Sequence, residues 1–256
     1  GQPRSVLKGL LQRHGEPVVR AALNQAFKLL GKQFVLGRDM PEALQQSRPW
    51  RAQGYSYAFD MLGEAALTAE DAEKYMADYR KAIDTVGAEP QVGPGPKPSI
   101  SIKLSALHPR YGYLQPARVR DELIPHVIEL ARAARAVNIP LMIDAEESDR
   151  LELSLDLIEA TFSDPSLEGW EGYGLAVQAY QKRAPFVIDL LADLARRVGR
   201  RIPVRLVKGA YWDAEIKRAQ VEGQAGYPVF TRKQNTDVSY LACARRMFGH
   251  ADALYP

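Results

Sequence analysis

The stretch Arg205-Leu206-Val207-Lys208-Gly209-Ala210-Tyr211-Trp212-Asp213 sets two cations, a glycine and two aromatic rings at the end of an apolar run beginning at Ile202. A buried parallel strand should be apolar there, and a cation buried without a partner is costly. Arg205 and Lys208 are therefore expected to face something anionic or electron-rich at the strand end. Similar ends recur upstream. Lys103 closes Ser99-Ile100-Ser101-Ile102 and can be a Schiff-base nucleophile, an anion clamp or a solvated surface residue. Asp144 follows Leu141-Met142-Ile143, where a carboxylate needs a cation or a metal beside it. Glu146 and Glu147 add acid, which leaves room for a magnesium site; Glu147 beside Ser148 also fits a helix N-terminus.

Further candidates each carry two readings. Gln178, after Leu175-Ala176-Val177, suits the edge of a heterocycle or a satisfied amide in a barrel interior. Tyr211 and Trp212 can form a platform for a cofactor ring or pack into the core. Thr231-Arg232-Lys233-Gln234-Asn235-Thr236-Asp237 reads as a helix N-terminus, either a phosphate site or an exposed cap. His108 has no second histidine at ligand spacing, which is weak support for zinc. Cys243 lies in an apolar helical stretch and reads as core.

Alternating elements must position these residues. Residues 1–53 read as helical, with an apolar period over 18–30 and Gly31 as its stop, then a polar helix-forming stretch over 41–53. From Gly54 onward, strands are expected at 55–61, 98–104, 140–145, 174–179, 203–208 and 251–255. Helices are expected near 69–87, 116–137, 148–163, 184–199, 212–223 and 232–248. Six strand–helix units leave a doubly wound sheet or a barrel. No G-x-G-x-x-G follows the first strand, and Glu64, Lys103, Asp144, Gln178, Arg205 and Lys208 fall at successive strand ends. The fold class expected is α/β: a (βα)8 barrel of the TIM type, cut after about strand six and preceded by a helical arm, with the barrel spanning 54–256.

Bulk properties bound the function. The 256 residues are 46% hydrophobic and 25% charged, with a net charge of +3 and no basic block. That excludes a nucleic-acid surface in this segment. Apolar runs fall short of a membrane span, and one cysteine rules out an intrachain disulfide framework. A cytoplasmic setting is expected, and peripheral membrane association remains compatible with it.

Five segments together resemble one family. They are Asp60-Met61-Leu62-Gly63-Glu64-Ala65-Ala66-Leu67, Ile102-Lys103-Leu104-Ser105-Ala106-Leu107-His108-Pro109-Arg110-Tyr111, Ile143-Asp144-Ala145-Glu146-Glu147-Ser148-Asp149-Arg150, Gln178-Ala179-Tyr180-Gln181-Lys182-Arg183, and 205–213. The resemblance is to the proline dehydrogenase domain of bacterial bifunctional proline utilization flavoproteins. It implies FAD held noncovalently at the strand ends. It implies oxidation of L-proline to Δ1-pyrroline-5-carboxylate, with hydride passing to flavin N5 and electrons to a membrane quinone. It also implies a partner active site, an aldehyde dehydrogenase in the same polypeptide of full-length relatives, and peripheral membrane association during turnover.

By position, the resemblance places Lys103 on the proline carboxylate and Asp144 on Lys103. Ala210 and Tyr211 would border the substrate, and Glu64 would be the acidic half of a gate. Arg205 would lie near flavin N5 and Gln178 at the isoalloxazine edge. Val207, Lys208, Gly209 and Trp212 would hold the cofactor, with Thr231, Arg232 and Lys233 toward its pyrophosphate and adenosine end. No metal is implied. The family continues past strand six with a His-bearing motif, two more strands and a helix carrying an Arg-Arg pair, so the sequence is expected to be an excerpt. The runner-up enzyme is a barrel aldolase using Lys208 or Lys103 as a Schiff base; a noncatalytic binding domain leaves the polar strand ends unexplained.

Overall fold

Six parallel strands form one sheet whose spatial order follows the sequence. They are β1 (Ala58–Asp60), β2 (Ser99–Ile102), β3 (Leu141–Ile143), β4 (Tyr173–Gln178), β5 (Ile202–Val207) and β6 (Leu254–Tyr255). The computed structural model describes Arg20, Ala21, Leu23, Gly31 and residues 35–256 except Leu62 and Glu64. The main helices are α1 (Met40–Arg51), α2 (Ala69–Ala88), the one-turn α3 (Leu104–Leu107), α4 (Pro116–Ala136), α5 (Leu151–Phe162), α6 (Ala184–Val198), α7 (Trp212–Val221) and α8 (Lys233–Phe248). Each parallel pair is joined by a helical crossover, the connection that parallel pairing demands. Strand order without a reversal is the winding of a (βα)8 barrel, here its first six strands; a doubly wound sheet would reverse.

Local chemistry explains the helices. Thr68 and Asp71 form a reciprocal capping box at the start of α2, with Thr68 Oγ1 accepting from Asp71 N at 3.1 Å and Asp71 Oδ2 from Thr68 N at 2.9 Å. Asp39 caps α1 by accepting from Glu42 N at 2.9 Å. The buried set of α4, Val119, Leu123, Val127, Leu130 and Ala134, recurs at three and four residues, one face of a helix. Gly199 ends α6 with φ 71°, a left-handed cap that suits glycine.

Alternation along the strands sorts the sheet's two faces. Ile100, Ile102, Leu141, Ile143, Leu175, Val177, Ile202 and Val204 join the helices in one apolar core. Their neighbours Ser101, Lys103, Met142, Asp144, Gly174, Gln178 and Arg205 take the other, concave face. Gly174 is required there: a Cβ would lie 2.0 Å from the Pro203 carbonyl oxygen on β5.

The strands are shorter than expected, because the end residues bend into site-forming loops. Leu104 was expected to end a strand and instead opens α3, and β6 begins at Leu254 after a turn over 251–253. Gly31 is helical and its carbonyl accepts from Val35 N at 2.7 Å, so it is not the stop expected there. Most of the arm expected at 18–30 lies outside the described residues. Cys243 is buried, as its apolar setting implied.

Candidate active site

The C-terminal ends of β1, β2, β3 and β5 bring four charges together on the concave face. Lys103, the residue after β2, donates to Asp144 Oδ2 at 2.9 Å and to Asp60 Oδ1 and Oδ2 at 2.9 and 3.0 Å. Asp144, the residue after β3, binds Arg205 through its other oxygen. Arg205, inside β5, also donates to Ser101 Oγ at 3.0 Å. Parallel register makes this possible. Asp60 aligns with Ser101, and Lys103 lies two residues further along the same face.

Burial gives the cluster its weight. The side chains of Lys103 and Asp144 are 9% and 11% exposed. Burial alone would drive the Lys103 ammonium toward neutrality, but hydrogen bonds and charge from Asp144 and Asp60 outweigh it and hold it above the ordinary lysine range. Tyr79 on α2 supports the strand end: its hydroxyl accepts from the Lys103 backbone N–H at 3.1 Å. Beyond Asp60 the paired register of β1 stops, so this hydroxyl takes the place of a strand carbonyl. Burial pushes Tyr79 up to about 12, against the lowering effect of the Lys103 backbone bond and charge.

The sequence argument missed Asp60, Ser101 and Tyr79. Two were readable: Asp60 ends a short apolar strand as Asp144 does, and Ser101 shares the face of Lys103 by alternation. Tyr79 carries no local signal; only the packing of α2 on β2 brings it there.

Other expected residues take different places. Lys208 lies past the end of β5, is exposed, and pairs with Asp237 at 2.5 Å. It was expected beside Arg205 at the strand end; standing three residues on, it is turned by strand alternation to the other face, where Asp237 of α8 supplies its anion. Gln178 is buried, donating to the Glu146 carbonyl at 2.8 Å and accepting from Ala210 N at 3.0 Å. It ties the β3 and β5 loops together, and its amide has a second proton and a second lone pair beyond these bonds. Glu146 is buried and accepts from Ser105 N at 3.0 Å and from Arg150 at 2.6 Å. Among the described residues no three His, Cys, Asp or Glu side chains converge as a metal site requires. His108 pairs with Glu122 at 2.8 Å and accepts from Arg110 N at 3.1 Å, a structural setting. Glu64 lies outside the described residues.

The β5–α7 loop leads on from Arg205 and is tied to the α8 region through Lys208–Asp237 and Trp212–Phe230. Gly209 has φ 144°, and a Cβ there would lie 2.4 Å from the Tyr180 ring, so the backbone is open only as glycine. Val207 is half-buried, its carbonyl accepting from Ala179 N at 2.8 Å. Ala210 is exposed and Tyr211 half-buried beside it. Trp212 is exposed and donates to the Phe230 carbonyl at 3.0 Å. Thr231, Arg232 and Lys233 are exposed, and no side chain caps α8. Uncapped amides beside two cations suit a phosphate, and an open glycine backbone beside an indole suits a flat ring. This donor set fits a phosphorylated, aromatic cofactor.

Parallel strands wound in sequence order, with a buried, fully paired charge cluster at their C-terminal ends, define an α/β-barrel enzyme domain. Comparison with known proteins narrows the class. A family described as proline dehydrogenase matches residues 43–256. The bifunctional protein PutA of Escherichia coli (strain K12) is 53% identical over 98% of this chain and 19% of its own length. PutA of Rhizobium meliloti is 56% identical over 91% of the chain and 19% of its own. A Bradyrhizobium japonicum proline utilization A crystal structure superposes with TM-score 0.82 at 52% identity, covering 96% of this chain and 25% of that one. A Bdellovibrio bacteriovorus counterpart gives TM-score 0.89 over 100% of the chain and 28% of its own, at 24% identity, and so speaks to the fold alone. The chain belongs to the proline dehydrogenase family. It spans about a fifth of the length of these curated relatives.

Proposed function

We propose that the chain oxidises L-proline to Δ1-pyrroline-5-carboxylate. The carrying observation is the Lys103–Asp144–Arg205 cluster: a buried ammonium kept charged, braced from three strands, in a family described as proline dehydrogenase. A bound FAD would supply the hydride acceptor, its N5, for the carbon beside the proline nitrogen and the route for electrons to a membrane quinone. Lys103 binds and orients the proline carboxylate, and Asp144 fixes Lys103. Ala210 and Tyr211 border the ring, and Glu64 closes over it. Arg205 places positive charge where the reduced cofactor carries negative charge. Gln178 holds the Ala210 loop at the cofactor edge. Val207, Lys208, Gly209 and Trp212 hold the cofactor's ring side, and Thr231, Arg232 and Lys233 its pyrophosphate.

Residues 1–53 serve as the helical arm and 54–256 as the barrel. The partner for the product is an aldehyde dehydrogenase domain of the kind that shares the polypeptide in full-length relatives. The protein works in the cytoplasm and meets the membrane peripherally during turnover. No helix among the described residues is long and apolar enough to cross a membrane.

The aldolase reading loses support. A Schiff-base lysine must shed its proton, whereas Lys103 and Lys208 are both ion-paired and held above the ordinary lysine range. The test is a flavin absorption spectrum of the intact protein with proline-dependent bleaching under anaerobic conditions. A colourless protein, or a flavin unchanged by proline, would refute the proposal.

A further inference from the structure

We propose that Asp60 is the group a ligand carboxylate replaces on Lys103. The inference rests on reading Lys103 as the carboxylate contact. An ammonium has three protons and no more. Asp144 Oδ2 takes one at 2.9 Å, and the two oxygens of Asp60 cover the ammonium's other side at 2.9 and 3.0 Å. With the Lys103 side chain only 9% exposed, a ligand carboxylate reaches the ammonium where Asp60 now sits.

The two carboxylates are not equally free to go. Asp144 is 11% exposed and also binds Arg205, which is braced in turn on Ser101. Its departure would strand a second cation. Asp60 is 47% exposed and among the described residues has only Lys103 as a hydrogen-bond partner. Two lysine and arginine cations face two aspartates, so the resting cluster is neutral. Exchanging Asp60 for a ligand carboxylate keeps the same charge on Lys103, while Asp60 turns to water. Asp60 thus sets the affinity for carboxylates against neutral analogues, as an internal competitor.

Calorimetric titration of the intact, cofactor-loaded enzyme tests this with cyclopentanecarboxylate and its neutral carboxamide, which lack the oxidisable C–N unit. Asp60→Asn keeps the side-chain shape. It should tighten carboxylate binding about three- to fivefold, the loss of one partly exposed competing ion pair. It should leave the carboxamide unchanged. In the Lys103→Met background the same substitution should have no effect. Weaker or unaltered carboxylate binding in Asp60→Asn would overturn the inference. So would equal tightening of the carboxamide, or tightening that survives without Lys103. Wild-type carboxylate affinity in Lys103→Met, or no carboxylate binding to the wild type, would instead sink the reading of Lys103 itself.

Discussion

Two ion-paired networks leave the same stretch of chain and end in opposite circumstances. Arg205 lies inside β5 and joins Asp144 and Lys103 on the concave face. Lys208, three residues later, joins Asp237 and Lys233 on the surface of α8. In the first, Lys103 and Asp144 are 9% and 11% exposed; in the second, Lys208 and Lys233 are 51% and 75% exposed. Short distances are common to both. What differs is the cost of losing a partner. Buried charges depend on each other, because neither can fall back on water; exposed ones can. Distance alone would rank the two networks as equals.

Breaking the buried network should have the largest effect. Asp144→Ala leaves Lys103 and Arg205 facing one another without their shared anion, a cost of about 3 kcal/mol. Urea unfolding should show it as a lower midpoint. Proline oxidation should fall at least tenfold, roughly 1.4 kcal/mol in barrier. A variant with wild-type midpoint and turnover would erase the distinction between the networks.

The glycine just past Lys208 comes next. Gly209→Ala combines a left-handed φ with a clash on the Tyr180 ring, for about 2 kcal/mol of strain. The variant should melt lower and hold flavin less tightly, as read by the visible spectrum after gel filtration. Unchanged flavin content would place the cofactor away from this loop.

Tyr79→Phe sharpens the comparison by removing a support of the buried network without touching its charges. At neutral pH the lost hydroxyl orphans the Lys103 N–H, costing about 1 kcal/mol. The alkaline limb should then be flatter in the variant. The folded Tyr79 pKa, near 12, is raised above the unfolded value of about 10, so its contribution is whole below pH ~10 and is lost as pH rises toward 12. That window is worth at most about 3 kcal/mol, and phenylalanine has none to lose. Urea midpoints at pH 9.5 and 11 should therefore converge between variant and wild type. Parallel midpoints would show Tyr79 to be less buried than it looks.

Lys208→Ala should do least. Its melting temperature should match that of the wild type within scatter, and added salt should remove any difference. A clear drop would mean that the α8 network is structural after all.

Much of this was legible in the sequence. Periodicity gave the alternation of strands and helices, because burial on one face imposes 2.0- and 3.6-residue repeats on any sequence that folds this way. The polar ends at Lys103, Asp144 and Arg205 stood out for the same reason, being charged where a buried strand should be apolar. Boundaries were read too long, since an apolar residue such as Leu104 is equally content to end a strand or open a buried helical turn.

Tertiary structure decided the rest. Arg205 and Lys208 are both cations at one strand end, and only the fold shows that one finds Asp144 and Ser101 and the other Asp237. The sequence marks Gln178 as a polar residue in an apolar run, and only the fold shows both ends of its amide taken by Glu146 and Ala210. Asp60 and Asp144 end similar strands, yet among the described residues one has a single partner and the other is held between two cations. A residue's type and neighbours are local properties. Which groups share a low-dielectric space, and so cannot be separated cheaply, depends on strand register and helix packing between positions as far apart as Asp60, Tyr79 and Arg205.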